Sequence, residues 1–465
     1  MTPKTPNATL DRALWAIVGV SLFGLTGLFT WRSLARNYDW RNRTADFDHF
    51  YWAAEAMNQG RDLYSSGEHA YIYPPLLAWL LTPFAHLPSK QAFCVWLVVE
   101  FGATAVSLVV FARHVAVRLG LRPEGLLIAS VCALSLFANI EQIRCEFEMG
   151  QSDTLVLLGF ALGLAFLDKK PWLAGIALGF AFNIKYQSLL ALPYLLLRRR
   201  WSAAASMAAS SLAFLFLPAL SQGWSANLRS ISVAFAGMLN KVGLGPGDDI
   251  TKAANLYPID YHRSLSITSA AARLTDGVNH PGRMELVIVA AALVLLAVGW
   301  VLYRKRGVPL VVGRTPEADA GSALSGVVAI EWVGLIVVAL AFSPHTTARH
   351  TFLMIPVHVL AFTMLVRPRP GVNPWPLALG TLAFTLGILL PPGGASWSET
   401  WVEAWRAIGG SVWCIILFYF TLVWTGLRYC AQSGSDSRQH PSGPALKRDA
   451  ESVVVMPPVP ARSGA

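Results

Sequence analysis

The chain has 465 residues, of which 54% are hydrophobic and 14% charged. A soluble globular protein carries roughly 25% charged residues, so much of this surface has to face lipid and a wholly soluble protein is excluded. The net charge of +10 comes from basic residues lying between apolar runs. There the positive-inside rule and anionic lipid account for it, and no nucleic-acid-binding pattern accompanies it.

Taken in chain order, apolar runs predict membrane helices near 14–31, 92–112, 124–141, 152–167 and 171–186. A short run at 187–197 follows, then 203–220, 284–303, 325–343, 350–366, 374–391 and 409–428, each judged against the about 20 residues a span needs. The expectation is an all-α, polytopic integral membrane bundle of about ten to twelve spans occupying residues 1–430. The first run has no convincing cleavage site and reads as a retained span. Residues 431–465, rich in Ser, Pro, Gly and charge, read as a disordered cytoplasmic tail. The five cysteines, Cys94, Cys132, Cys145, Cys414 and Cys430, show no CxxC spacing, so neither a metal site nor a disulfide framework is indicated.

Charge sorts the connections. Arg113, Arg118 and Arg122, then Lys169 and Lys170, Arg198 to Arg200, Arg304 to Arg306, Arg367 and Arg369, and Arg428 lie on alternate turns. Setting these on the cytoplasmic side makes 32–91, 142–151, the turn near Lys185, 221–283, 344–349 and 392–408 external. That parity requires the proline-bounded stretch 74–88 to lie on or dip into the bilayer without crossing it. Arg32, Arg36, Arg41, Arg43 and Arg61 in the first external loop run against the rule, offset in part by Asp39, Asp46, Asp48 and Glu55.

Four polar groups interrupt this apolar background. The first loop places Asp46 and Asp48 beside Tyr51, Tyr64 and Tyr73. A carboxylate there can take a proton from a sugar hydroxyl while aromatic faces hold the ring. Asp46 can equally be a cap for a helix beginning near Phe47. Gln151, Ser152 and Asp153 open a later span, where they suit capping or hydrogen bonding to a sugar or phosphate. Lys185 is an ionisable residue at an intramembrane position, a functional candidate by default, or a lysine snorkelling to the interface. Ser343 to His350 brings His345, Arg349 and His350 between two apolar runs; a guanidinium there suits a lipid phosphate, although an ordinary polar turn also fits. Glu331 falls inside a span and is expected to pair with a basic group or lie near its cytoplasmic end. The 221–283 loop is long enough to close over a substrate. Its Gly243, Gly245 and Gly247 follow no strand and form neither GxGxxG nor GK[ST], so they make no nucleotide site. No HExxH, GxSxG or DxD pattern appears.

The order of these groups resembles family 87 of the GT-C glycosyltransferases, which includes polyprenol-phosphate-mannose-dependent mannosyltransferases. The resemblance rests on Asp46-Phe47 followed by Tyr51 and Ala53-Ala54, then Gly60 with Leu63-Tyr64, then Tyr73-Pro74-Pro75. It continues through Gly150-Gln151, Ala174-Gly175 with Lys185 and Arg199-Arg200-Trp201, to Ser343-Pro344 with Arg349-His350, and spans roughly residues 10–430. His345, Thr347 and Ala348, and His262 to Leu265, depart from the family's usual residues. The resemblance implies a GT-C-type helical bundle with a large first external loop. It also implies a sugar donor on polyprenyl phosphate, used without cofactor or obligatory metal. It carries the general-base role to Asp46, with Asp48 in reserve, and donor-phosphate binding to Lys185, Arg349 and His350. Tyr51, Tyr64, Tyr73, Gln151, Asp153 and His345 are then the candidate substrate-binding residues. The expected enzyme sits in the cell membrane and moves a hexose, mannose by family weight, to a lipid or glycan acceptor at the external face. A transporter or flippase of lipid-linked sugars, with ionisable groups near the midplane, and a non-catalytic scaffold are the alternatives.

Overall fold

A computed structural model describes residues 46–66, 71–241, 258–308, 323–389, 404–405 and 407–439, with a few isolated positions before them. Among the described residues every regular element is helical. In order they are α1 (Asp46–Asn58), α2 (Pro75–Leu81), α3 (Ser89–Arg118), α4 (Gly125–Ala138), α5 (Ile140–Met149), α6 (Asp153–Phe166), α7 (Pro171–Ile184), α8 (Ala191–Leu197) and α9 (Trp201–Phe216). There follow α10 (Ala219–Gln222), α11 (Trp224–Lys241), α12 (Ile267–Thr275), α13 (Pro281–Arg304), α14 (Ala323–Phe342), α15 (Ile355–Val366), α16 (Trp375–Leu389) and α17 (Gly410–Gln439).

Among the described residues, six helical stretches are long and apolar enough to cross a membrane: Ser89–Arg118, Trp201–Gln222, Pro281–Arg304, Ser325–Phe342, Ala348–Val366 and Gly410–Ala431. The chain is an integral membrane protein. The bent pair α4 and α5, turned by 70° at its break, makes up to a seventh. Asp153–Phe166, Pro171–Ile184, Tyr186–Leu197 and Trp375–Gly387 are apolar but shorter. A 14-residue helix is only about 21 Å long at 1.5 Å per residue, against a hydrocarbon core of about 30 Å. Among the described residues α6 and α7 are thus shorter than a full span, and their ends are polar. The expected span at 14–31 falls, but for isolated positions, outside the described residues.

Three other expectations change. The connection 142–151 is helix α5, supported by Arg144 pairing with Glu141 and with Glu148 (2.6 Å) along one face. The 221–283 segment carries α11 and α12 on either side of the undescribed 242–257. The last helix runs on to Gln439, into the stretch read as a tail, because no proline interrupts it before Pro441. The stretch 74–88 forms only the seven-residue α2 and one 3-10 turn, too short to cross.

Close packing holds α6, α7 and α9 together. Gly175 and Gly179 on α7 lie against Ala203, Met207 and Ser210 of α9, where an added Cβ would strike backbone. Spacing of four residues puts both glycines on one face, and without a hydrophobic driving force between helices such close approach supplies the contact. Ser210 Oγ donates to Gly175 O (3.2 Å) and Asn183 Nδ2 to Ser211 O (3.0 Å) across this contact. Trp332 of α14 is fully buried and donates to Phe160 O on α6 (3.0 Å). By contrast α13 buries little besides Tyr303, as an outer, lipid-facing helix does.

Basic turns are tied down at one end of the bundle. Asp168 takes both Arg118 (2.7 Å) and Arg200 (2.9 Å), and Glu331 pairs with Arg198 and accepts from Tyr194 Oη (3.1 Å). Glu331 is thus a structural partner. Because α6 and α7 run between these turns and Asp153 or Lys185, the polar groups at 153 and 185 stand at the opposite end.

Candidate active site

Four segments far apart in the chain meet there. Asp46 is the first residue of α1. Helix α5 ends at Gly150, whose φ of +61° is the left-handed conformation of a helix C-terminus; the reversal sends Gln151 and Ser152 inward and starts α6 at Asp153. Helix α7 stops at Ile184, and Lys185 takes an extended conformation (φ −146°, ψ 136°) before the next 3-10 turn. That break turns a residue that would otherwise continue the helix into the site. Arg349 and His350 come from the 3-10 turn Ala348–Met354 that leads into α15.

The side chains form one continuous string. Arg349 Nη1 reaches Asp46 Oδ2 at 2.5 Å, and Gln151 Nε2 donates to the same oxygen. Lys185 Nζ donates to Gln151 Oε1 (2.9 Å) and pairs with Asp153 Oδ1 at 2.7 Å. Chemistry fixes the orientation of the Gln151 amide. A lysine can only donate and an ionised carboxylate only accept, so the oxygen must face Lys185 and the nitrogen Asp46. Both partners of Asp46 use Oδ2, leaving Oδ1 to neither.

Exposure gives the string a direction. The Lys185 and Asp153 side chains are 5% and 0% exposed, while Arg349 and Asp46 are 25% and 17% exposed. The site is therefore entered at Asp46 and Arg349 and closed behind Lys185. Lys185 Nζ also stands 5.6 Å from the centre of the Tyr73 ring. Burial pushes the Tyr73 hydroxyl above the usual phenol range, with Lys185 pulling it the other way, so Tyr73 stays a neutral hydrogen-bonding group.

His350 Nδ1 accepts from Thr347 N (2.9 Å). The hydrogen of the neutral ring is then on Nε2, which makes that edge a donor. Lys185, Arg349 and His345 are the cationic or basic groups around it. His345 lies 6.4 Å from His350 and 5.5 Å from Tyr261, ring centre to ring centre. Its segment is bound to the start of α12: Leu265 N donates to Thr346 O (2.6 Å) and Thr346 N to Ser264 Oγ (3.1 Å).

The remaining sequence candidates stand elsewhere. Asp48 is buried and lies about 200° round α1 from Asp46 at 100° per residue, on the other side of the helix. Tyr51 Oη donates to Leu87 O (2.8 Å), which ties α1 to the turn before α3. Tyr64 is buried and donates to Tyr73 O (2.9 Å), bracing Tyr73 from behind.

Two acids outside the sequence candidates adjoin the site. Glu146 on α5 and Glu100 on α3 are fully buried; the Trp96 indole N–H is within hydrogen-bonding reach of Glu100, and the Asp153 backbone N–H of Glu146. Glu146 is within electrostatic reach of Asp153, Lys185 and Arg349. Glu100 lies mid-span, where an ionisable residue is a functional candidate by default.

The Gly150 turn sets the register of Gln151. A Cβ built there would come within 2.7 Å of both Phe47 and Phe93. Gly150→Ala is expected to lower stability by about 2–4 kcal/mol, combining the left-handed backbone with overpacking, and to misplace Gln151. Thermal unfolding of the detergent-solubilised protein, followed by size-exclusion chromatography, checks it.

The sequence profile of glycosyltransferase family 87 matches residues 71–327. The chain belongs to glycosyltransferase family 87. It is a glycosyltransferase, and that match covers Tyr73, Gln151, Asp153 and Lys185 but stops short of Asp46 and Arg349 at either end. A longer similarity reaches beyond it. The chain is 28% identical over 418 residues, 85% of its length and 86% of the other's, to a polyprenol-phosphate-mannose-dependent alpha-(1-2)-phosphatidylinositol mannoside mannosyltransferase from Mycobacterium tuberculosis. No solved structure matches the chain.

Proposed function

We propose that this enzyme transfers mannose from polyprenyl phosphate to a hydroxyl of a lipid or lipid-linked glycan, at the external face of the cell membrane. The observation that carries the reading is the string Arg349–Asp46–Gln151–Lys185, in which one carboxylate and two cations are held together at the half-open end of the bundle. The name of the mycobacterial relative supports the donor and the lipid-type acceptor. The basic turns at the far end support the orientation.

In this reading Asp46 takes the proton of the acceptor hydroxyl. The freed oxygen attacks the anomeric carbon as the bond from that carbon to the phosphate oxygen breaks, and the electron pair leaves with polyprenyl phosphate. One displacement at the anomeric carbon inverts its configuration. Arg349, Lys185 and the His350 Nε2–H offset the charge that grows on the phosphate, an effect strengthened where water is excluded. Tyr73, Gln151, Asp153 and His345 line the sugar and headgroup.

The reaction in this reading needs no metal. Two fixed cations, Arg349 and Lys185, already face the reacting centre. Transfer is expected to continue undiminished in excess EDTA, measured as labelled mannose entering the lipid fraction of proteoliposomes from polyprenyl-phosphate mannose. The same vesicles test the reading as a whole. Labelled donor that crosses the bilayer with no mannose reaching any acceptor would instead make the protein a flippase.

A further inference from the structure

At the end of the bundle away from Asp46 lies a polar cavity of about 270 Å³, lined among the described residues by Arg306, Gly371, Arg428 and Ala431. No carboxylate is among these. The ends of three helices frame it: Arg306 follows α13, Gly371 lies in the turn between α15 and α16, and Arg428 is on α17. The span Ala348–Val366 separates this turn from Arg349, a distance of about 25–30 Å at helical rise.

Both arginines stand beside the Trp424 ring. The Arg428 guanidinium stands 4.2 Å from the Trp424 ring centre, and that of Arg306 stands 5.9 Å from the same ring. One indole thus gathers two cations from different helices, at a cost in mutual repulsion. Arg428 Nε is buried without a hydrogen-bond partner. Buried charged donors are nearly always satisfied, because leaving one bare costs most of its desolvation energy. The neighbouring cations differ. Arg369 donates to Tyr429 O (2.7 Å) and Leu119 O (2.6 Å), and Arg367 pairs with Glu124 at 3.1 Å. The Arg306–Arg428 pair instead lines the cavity.

We propose that this cavity binds the phosphate of an anionic membrane phospholipid, in the leaflet opposite the active site. Two guanidiniums beside one indole can together meet the oxygens of a phosphodiester. Basic pockets between the ends of membrane helices sit at headgroup depth, where such lipids are found. A lipid phosphate there would satisfy Arg428 Nε, cancel the repulsion across Trp424 and fasten α17 to α13.

Native mass spectrometry of the full chain, reconstituted in equal parts phosphatidylglycerol and phosphatidylcholine and then released, tests the proposal. The parent is expected to retain phosphatidylglycerol on the order of tenfold or more over phosphatidylcholine. Arg306→Gln with Arg428→Gln should abolish that preference. Ala431→Glu should do the same from an exposed position that leaves the helix unstrained, by placing a carboxylate beside the arginines. Equal retention of the two lipids by the parent, or an intact preference in both variants, overturns the proposal. So does displacement of the lipid by millimolar inorganic phosphate, which would make the ligand a free phosphate.

Discussion

Asp46→Asn is expected to reduce transfer by roughly 100- to 10,000-fold, the range seen when a positioned general base is lost. The substitution keeps the shape of the side chain and removes its capacity to take a proton. Its local cost is small. The asparagine oxygen still accepts from Arg349, and Gln151 keeps Lys185 on its other side. Protein yield and elution profile should match the parent, so lost activity reads on chemistry. Asp46→Glu is a useful companion: the carboxylate survives but an added methylene moves it off Gln151 and Arg349, and partial activity is expected. The measurement is the initial rate of labelled mannose transfer in proteoliposomes. A rate within a few-fold of the parent for Asp46→Asn would remove this residue from the mechanism and send the search for the base to Asp153 or Glu146.

Much of this site is legible in the sequence because polar residues stand out against apolar runs. Asp46, Gln151, Lys185 and Arg349 are all visible as exceptions, and the order of their motifs points to the family. Their meeting is not visible. Gln151 is 105 residues from Asp46, and Arg349 is 303 residues away; periodicity carries no information at that range. Backbone breaks are also hard to see. Nothing in Asn183-Ile184-Lys185 announces that α7 stops there, yet that stop delivers the Lys185 side chain. Glu146 is hidden for the opposite reason. It sits among Glu141, Arg144 and Glu148, so it looks like one more charge in a surface loop, whereas the helix buries it fully and leaves Glu141 exposed and Arg144 and Glu148 partly so. The tyrosines mislead by composition. An aromatic near an acid suits a sugar, but Tyr51 and Tyr64 have their hydroxyls engaged by backbone carbonyls, and only Tyr73 meets the site's charges.

The second large effect is expected at Lys185. Lys185→Met should cost about 3–5 kcal/mol of stability, because Asp153, with no exposed surface, would be left as an uncompensated buried charge. It should also lower transfer roughly 100- to 1,000-fold if its ammonium stabilises the departing phosphate. These two losses have different causes and can be separated. Lys185→Met combined with Asp153→Asn removes the buried charge along with its partner, so thermal stability should return most of the way to the parent's. Activity should not return, since the phosphate still lacks its cation. Gln151 leaves the distinction clean: the Asp46 carboxylate, which only accepts, still holds the amide nitrogen when the lysine is gone. Unfolding temperature and transfer rate, measured on both variants, settle which role dominates. Recovery of transfer together with stability in the double variant would show that Lys185 only neutralises Asp153, and the positive charge facing the donor would then rest on Arg349 alone.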